Sequence, residues 1–114
     1  MEMPEKVKIG YAEYSIKSWN IIEASREARY GDYDHERLNI RISDGIAPPV
    51  RATVLLHEIF HGIVQHFNVP VENNEEGVVA SISEGLAQVI HDNPDLITWI
   101  TTALQNEPTT KKKS

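Results

Sequence analysis

The sequence predicts an α+β fold, a short antiparallel sheet of about three strands packed on a metal-binding helix plus two further helices. Three observations carry this. Apolar residues alternate with period two through the first third of the chain. A proline pair at 48–49 then marks a change of regime, and beyond it the apolar period becomes helical. Strands first and helices after is the order of an α+β architecture.

The elements follow in chain order. "KVKIGYAEYSIKSW" carries Val7, Ile9 and Tyr11, then Tyr14, Ile16 and Trp19, an imperfect alternation interrupted between Gly10 and Glu13. "SWNIIEASREARYG" is open between strand and a short helix. "YGDYDHERLNIRISDG" reads as a hairpin. Tyr30 and Tyr33 flank Gly31, "DHER" supplies the turn, and Leu38, Ile40 and Ile42 alternate with Asn39 and Arg41.

Pro48 and Pro49 stop a strand, and Pro49 suits the first turn of a helix, where its missing N–H costs nothing. The first long helix is expected over residues 50 to about 67, ended by Asn68 and Pro70. A second runs from about 71 or 75 to 91, with "DNP" as its stop. Asp92 or Asn93 caps a third, from 94 to about 104, with Pro94 in its first turn.

Composition narrows the function. A chain of 114 residues holds one modest core, so residues 1–106 are expected to form a single domain, with 107–114 a flexible basic tail. No apolar run approaches a bilayer span, and "MEMPEKVK" has no apolar core of a signal peptide behind its charges. The absence of cysteine removes disulfides, thiol catalysis and cysteine-based zinc sites, and fits a reducing cytoplasm. A formal charge of −6 argues against nucleic acid as a partner, because such binding rests on Lys and Arg neutralising phosphates. Any metal site must therefore use His, Asp and Glu.

"TVLLHEIFHGIV" meets that requirement at His57, Glu58 and His61. On a helical wheel His61 lies about 40° from His57, Gln65 about 80° and Glu58 about 100°. The apolar residues Leu56, Ile59, Phe60, Ile63, Val64 and Phe67 fill the opposite arc. Two imidazoles one turn apart can converge on one zinc ion, while the intervening carboxylate reaches a metal-bound water and accepts its proton. An HExxH arises by chance in roughly 2% of chains of this composition. The alternative is a helix whose histidines are merely half-buried.

Catalytic zinc usually has a third protein ligand. The extended HExxHxxGxxH pattern is absent, since Val64 stands where it has glycine. The second helix offers Glu75, Glu76 and Glu84. If Val79, Ile82, Leu86 and Ile90 form its buried face, Glu84 points to solvent, Glu75 inward and Glu76 to the edge. Ala80, Ser83 and Ala87 line up with Glu76 and would let two helices approach, which favours Glu76 over Glu75. Both acids also suit a helix N-terminus without any metal.

"LLHEIFHGI", followed downstream by "EEGVVASISEGLAQVIHDNPDL", resembles the small metallopeptidases encoded by bacteriophages and prophages, minimal HExxH zincins of the gluzincin kind. "YGDYDHERLNIRI" is similar to a stretch those chains carry before the metal helix, so the resemblance spans residues 30–96. It implies that His57 and His61 are zinc ligands, that Glu58 is the general base and that one Zn2+ binds per chain. The family's downstream helical glutamate falls on Glu76, with Glu75 one step away. The resemblance also implies an edge strand that holds an extended peptide by β-augmentation, and a bacterial host cell as location. A weaker likeness is to metallopeptidases beside phage repressors, which cleave a partner protein. Those carry a helix-turn-helix, and none is visible here.

His66, at about 180° on the metal helix, reads as a surface residue. His35 reads as a solvated turn residue, and His91 as a helix-end imidazole suited to the dipole. Tyr30 and Tyr33 are packing residues or donors to a developing oxyanion. Trp19 and Trp99 read as core or edge aromatics. The expected function is a zinc-dependent peptidase acting on a peptide or protein substrate, with no nucleic acid or membrane partner. The rival is a non-catalytic zinc-binding or protein-interaction module of phage origin, and Glu58 discriminates, since a structural site has no need of it. A His₂Glu set also accepts other divalent metals. Glu76→Gln is expected to lose zinc and Glu75→Gln to retain it; elemental analysis of the two purified variants checks this.

Overall fold

The computed structural model describes residues 2–70, 72 and 75–106. The expected tail at 107–114 and the alternative helix start at Val71 lie outside the described residues. The elements are β1 (Lys6–Ile9), β2 (Ala12–Trp19), α1 (Ile21–Arg26), β3 (Gly31–Asp34), β4 (Asn39–Ser43), α2 (Pro48–His66), α3 (Glu75–Asp92) and α4 (Pro94–Gln105).

The fold is α+β, as the order of patterns predicts. The sheet differs in detail from the expected three antiparallel strands: it has four, in the order β1-β2-β4-β3. The pairs β1–β2 and β3–β4 are antiparallel, but β2 and β4 run parallel. The interruption after Ile9 is a hairpin, with Gly10 at φ +63°, so one long alternating stretch is two strands. The segment left open becomes α1, started by Asn20, whose side chain accepts from the Ile22 and Glu23 N–H groups. With α1 and β3 intervening, β4 returns beside β2 in the same direction; a parallel pair needs such a crossover. Leu38 drops out of the expected alternation: its φ is +52° and the strand begins one residue later.

One face of the sheet is apolar. Val7, Ile9, Tyr14, Ile40 and Ile42 are fully buried against Leu55, Ile59 and Ile63 of α2. Leu96, Trp99 and Ile100 of α4 extend the same core, and Trp19, buried outside that cluster, lies under the Arg41 guanidinium. The PP pair opens α2 and Asn68, at φ +51°, follows its last turn, so its limits fall within two residues of expectation.

α3 departs more. Its buried residues are Gly85 and Val89, while Val79 and Ile90, expected in the core, are 53% and 47% exposed. The buried face is turned by about 75° from the one apolar periodicity picks out. The reason is Gly85, where a Cβ would stand 2.5 Å from Ile63 Cγ2 and 3.0 Å from Phe67 Cδ1. α3 meets α2 at its bare backbone, and a bare backbone gives no apolar signal.

α3 also covers the outer edge of β1. The Lys8 N–H donates to Asn93 Oδ1 and the Gly10 N–H to Gln88 Oε1, while both side-chain amides donate to the Lys8 carbonyl. Asn93 is thus spent on the strand and makes no side-chain cap bond at the start of α4. No helix among the described residues is long and apolar enough to cross a membrane.

Gly85→Ala gains roughly 1 kcal/mol of helix propensity but overpacks the α2–α3 contact at a cost of about 1–3 kcal/mol. The variant is expected to melt below the wild type in a thermal scan followed by circular dichroism.

Candidate metal centre

α2 carries the HExxH segment with its apolar stripe under the sheet, which leaves His57 and His61 exposed at the rim and draws Glu58 inward. The two imidazoles meet at their Nε2 atoms, 3.2 Å apart, with ring centroids 4.8 Å apart and planes at 76°. Two tetrahedral ligands at about 2.0–2.1 Å from a zinc ion are about 3.3–3.4 Å from one another. The observed separation therefore fits one edge of a zinc tetrahedron. It equally suits an N–H···N hydrogen bond in the metal-free protein.

Glu58 is 6% exposed. β3 lies over it because residue 31 is glycine: a Cβ there would stand 2.6 Å from Val54 Cγ1 and 3.3 Å from Glu58 Oε2. Burial pushes the Glu58 carboxyl above its ordinary 4.5; Asp32 adds to the shift, while His57 and Arg29 oppose it. Asp32 itself is held by the Arg41 guanidinium through Nε and a second, close contact, and Arg41 lies 4.0 Å over the Trp19 ring.

These residues line a cleft of about 480 Å³. Its walls are Arg29, Tyr30, Gly31, Asp32 and Tyr33 on one side and Thr53, Val54, His57, Glu58 and His61 on the other. The strand register sets what β3 offers. The Ser43 N–H donates to the Tyr30 carbonyl, and the pairing continues as Gly31↔Ile42, Asp32↔Arg41 and Tyr33↔Ile40. In an antiparallel pair the hydrogen-bonded residues alternate. Tyr30 and Asp32 therefore bond inward to β4, and the backbone N–H and C=O of Gly31 and Tyr33 point away from it.

The structure brings His57, Glu58 and His61 together. Glu76 is not among the residues that line their cleft, and both Glu75 and Glu76 are exposed on the first turn of α3. No group of three His, Asp or Glu side chains suited to one metal ion occurs among the described residues. Glu84 is exposed, as its wheel position predicts.

Of the two tyrosines, Tyr30 is 51% exposed at the cleft. Tyr33 has its hydroxyl turned away to Tyr14, 2.7 Å off. Burial, helped by the Tyr14 hydrogen bond, pushes the Tyr33 hydroxyl well above the ordinary phenol range. His91 is exposed and pairs with Asp92.

Two histidines stand differently from expectation. His66 is half-buried with Nε2 2.7 Å from the Tyr14 hydroxyl, and His35 has Nδ1 3.0 Å from the same oxygen. Burial lowers the His66 pKa, and the neighbouring His35 lowers it further. The signal available in the sequence was Tyr14 itself, a hydroxyl on the buried face of β2 that needs partners.

No known family, curated protein or solved structure matches this chain. The resemblance to phage metallopeptidases therefore rests on its motifs alone.

The folded protein holds the Glu58 proton more tightly than the unfolded chain does. Stability is accordingly lost as pH rises from the ordinary carboxylate value through the raised one. Glu58→Gln removes that loss. With chelator present, the variant is expected to melt above the wild type at about pH 7, and the gap should close as the pH falls below the ordinary carboxylate value. Thermal melts at the two pH values check it.

Proposed function

We propose that this chain is a zinc-dependent metallopeptidase. The observation that carries the reading is the convergence of His57 and His61 Nε2, 3.2 Å apart, beside a buried Glu58 in one cleft. The two imidazoles hold the ion. A bound zinc supplies Lewis acidity. Every other part of the chemistry belongs to the chain.

Glu58 is the proton acceptor. Its carboxyl is shielded from water, and its raised pKa brings it closer to the range in which a carboxylate both takes and returns a proton. It accepts a proton from the attacking water and passes it to the leaving amine. The outward N–H and C=O groups of Gly31 and Tyr33 can bond the backbone of an extended peptide and lay its carbonyl over the two histidines. Tyr30, half-exposed at the cleft wall, donates to the oxygen on which charge develops.

Glu76 remains the proposed third ligand, on the resemblance of its helix to the family pattern. Joining the imidazoles requires the first turn of α3 to approach them.

Glu58→Gln separates a peptidase from a zinc-binding module that does no chemistry. The variant should retain about one zinc per chain and lose at least 100-fold in hydrolysis of an unfolded protein such as casein, roughly the contribution of a general base. Equal hydrolysis by wild type and variant would sink the mechanism. A wild type that binds zinc and cleaves nothing would favour the non-catalytic module.

A further inference from the structure

Below the cleft, four rings meet at one oxygen. The Tyr14 hydroxyl lies 2.7 Å from that of Tyr33, 2.7 Å from His66 Nε2 and 3.0 Å from His35 Nδ1. A phenol has one proton to give and two lone pairs to accept with, so three partners saturate it. Tyr14 is fully buried, so with these three partners in place its hydroxyl is shielded from solvent. The cluster draws on β2, β3, the β3–β4 turn and the last turn of α2. It therefore holds Tyr33 from a side that the cleft does not disturb.

Tyr33 is held from the other side as well. A Cβ on Gly62 would stand 3.3 Å from its Cε1, so the ring lies on bare helix backbone. The same ring lies against His61, with centroids 6.3 Å apart and planes at 23°. His61 is exposed, and an exposed imidazole on a helix otherwise samples several rotamers. Tyr33 closes off one side of that motion.

We infer that Tyr33, locked by the Tyr14–His66–His35 cluster, is a positioning residue that keeps the His61 imidazole turned towards His57. The inference rests on His57 and His61 being the metal ligands proposed above. Groups that orient ligand imidazoles are commonly worth roughly 10–100-fold in metal affinity. Here the orienting group is a ring face, and its own anchor lies one residue further back.

The test is zinc affinity, by competition with a chelating dye, for wild type, Tyr33→Phe, Tyr33→Leu and Tyr14→Phe. The visible spectrum of each protein saturated with Co(II) accompanies it. Tyr33→Phe keeps the ring and cuts its tie to Tyr14; it is expected to bind zinc roughly 10-fold more weakly. Tyr33→Leu removes the wall and should bind more weakly still. At saturating Co(II) the absorption bands should shift in both, because the ligand geometry has changed, a signal that lost stability alone does not produce. Wild-type affinity and spectrum in both Tyr33 variants would overturn the inference. Tyr14→Phe should resemble Tyr33→Phe; if it does not fold, the two Tyr33 variants carry the test alone. A wild type that binds neither ion refutes the ligand assignment, whereas equal binding by wild type and variants refutes only the role of Tyr33.

Discussion

Gly31 and Gly62 bring the sheet against α2 at two places where a side chain would hold it off. At Gly31 the strand covers Glu58, and at Gly62 it lets Ile9 and Tyr33 reach the helix backbone. The rest of the cleft depends on that approach. Were β3 farther from α2, Glu58 would be hydrated with an ordinary pKa, and the Tyr33 ring would not reach His61. Close packing is bistable rather than elastic, so a displaced strand would lose these contacts together.

The two edges of the sheet are treated differently, and the difference bears on the site. An open edge is a template for pairing with another chain. At β1 the Gln88 and Asn93 amides occupy the exposed groups of Lys8 and Gly10, and α3 covers what remains. At β3 the outward groups of Gly31 and Tyr33 stand beside the histidines. The fold closes the edge remote from the cleft, and under the proposed function the adjoining one takes the substrate backbone.

Charge in the cleft is arranged with similar economy. Asp32 would raise the cost of ionising Glu58 further if left alone, but Arg41 is paired with it and lies on Trp19. Glu58 is the one carboxylate among the described residues that is buried by the same contacts that form the site. Such a group lowers stability, and under the proposed function it does so in exchange for reactivity.

The sequence by itself determined the class of the fold and the meeting of His57 and His61 on one helix face. Period-two alternation, the proline pair and the helical run after it are local signals, and the structure keeps all three. Two histidines four residues apart share a helix face whatever surrounds them, so their convergence was legible from spacing alone. What only the tertiary structure decided was contact made without an apolar signal. Gly85 turned the buried face of α3 away from Val79 and Ile90, and that rotation left Glu76 exposed. Tyr14 gathered His35 and His66, read as surface residues, because a buried hydroxyl must find partners wherever the chain supplies them. The direction of β4 relative to β2 was likewise set by how the chain returned through α1 and β3. Periodicity reports which residues avoid water; it says nothing of where backbones touch or which polar groups must be satisfied.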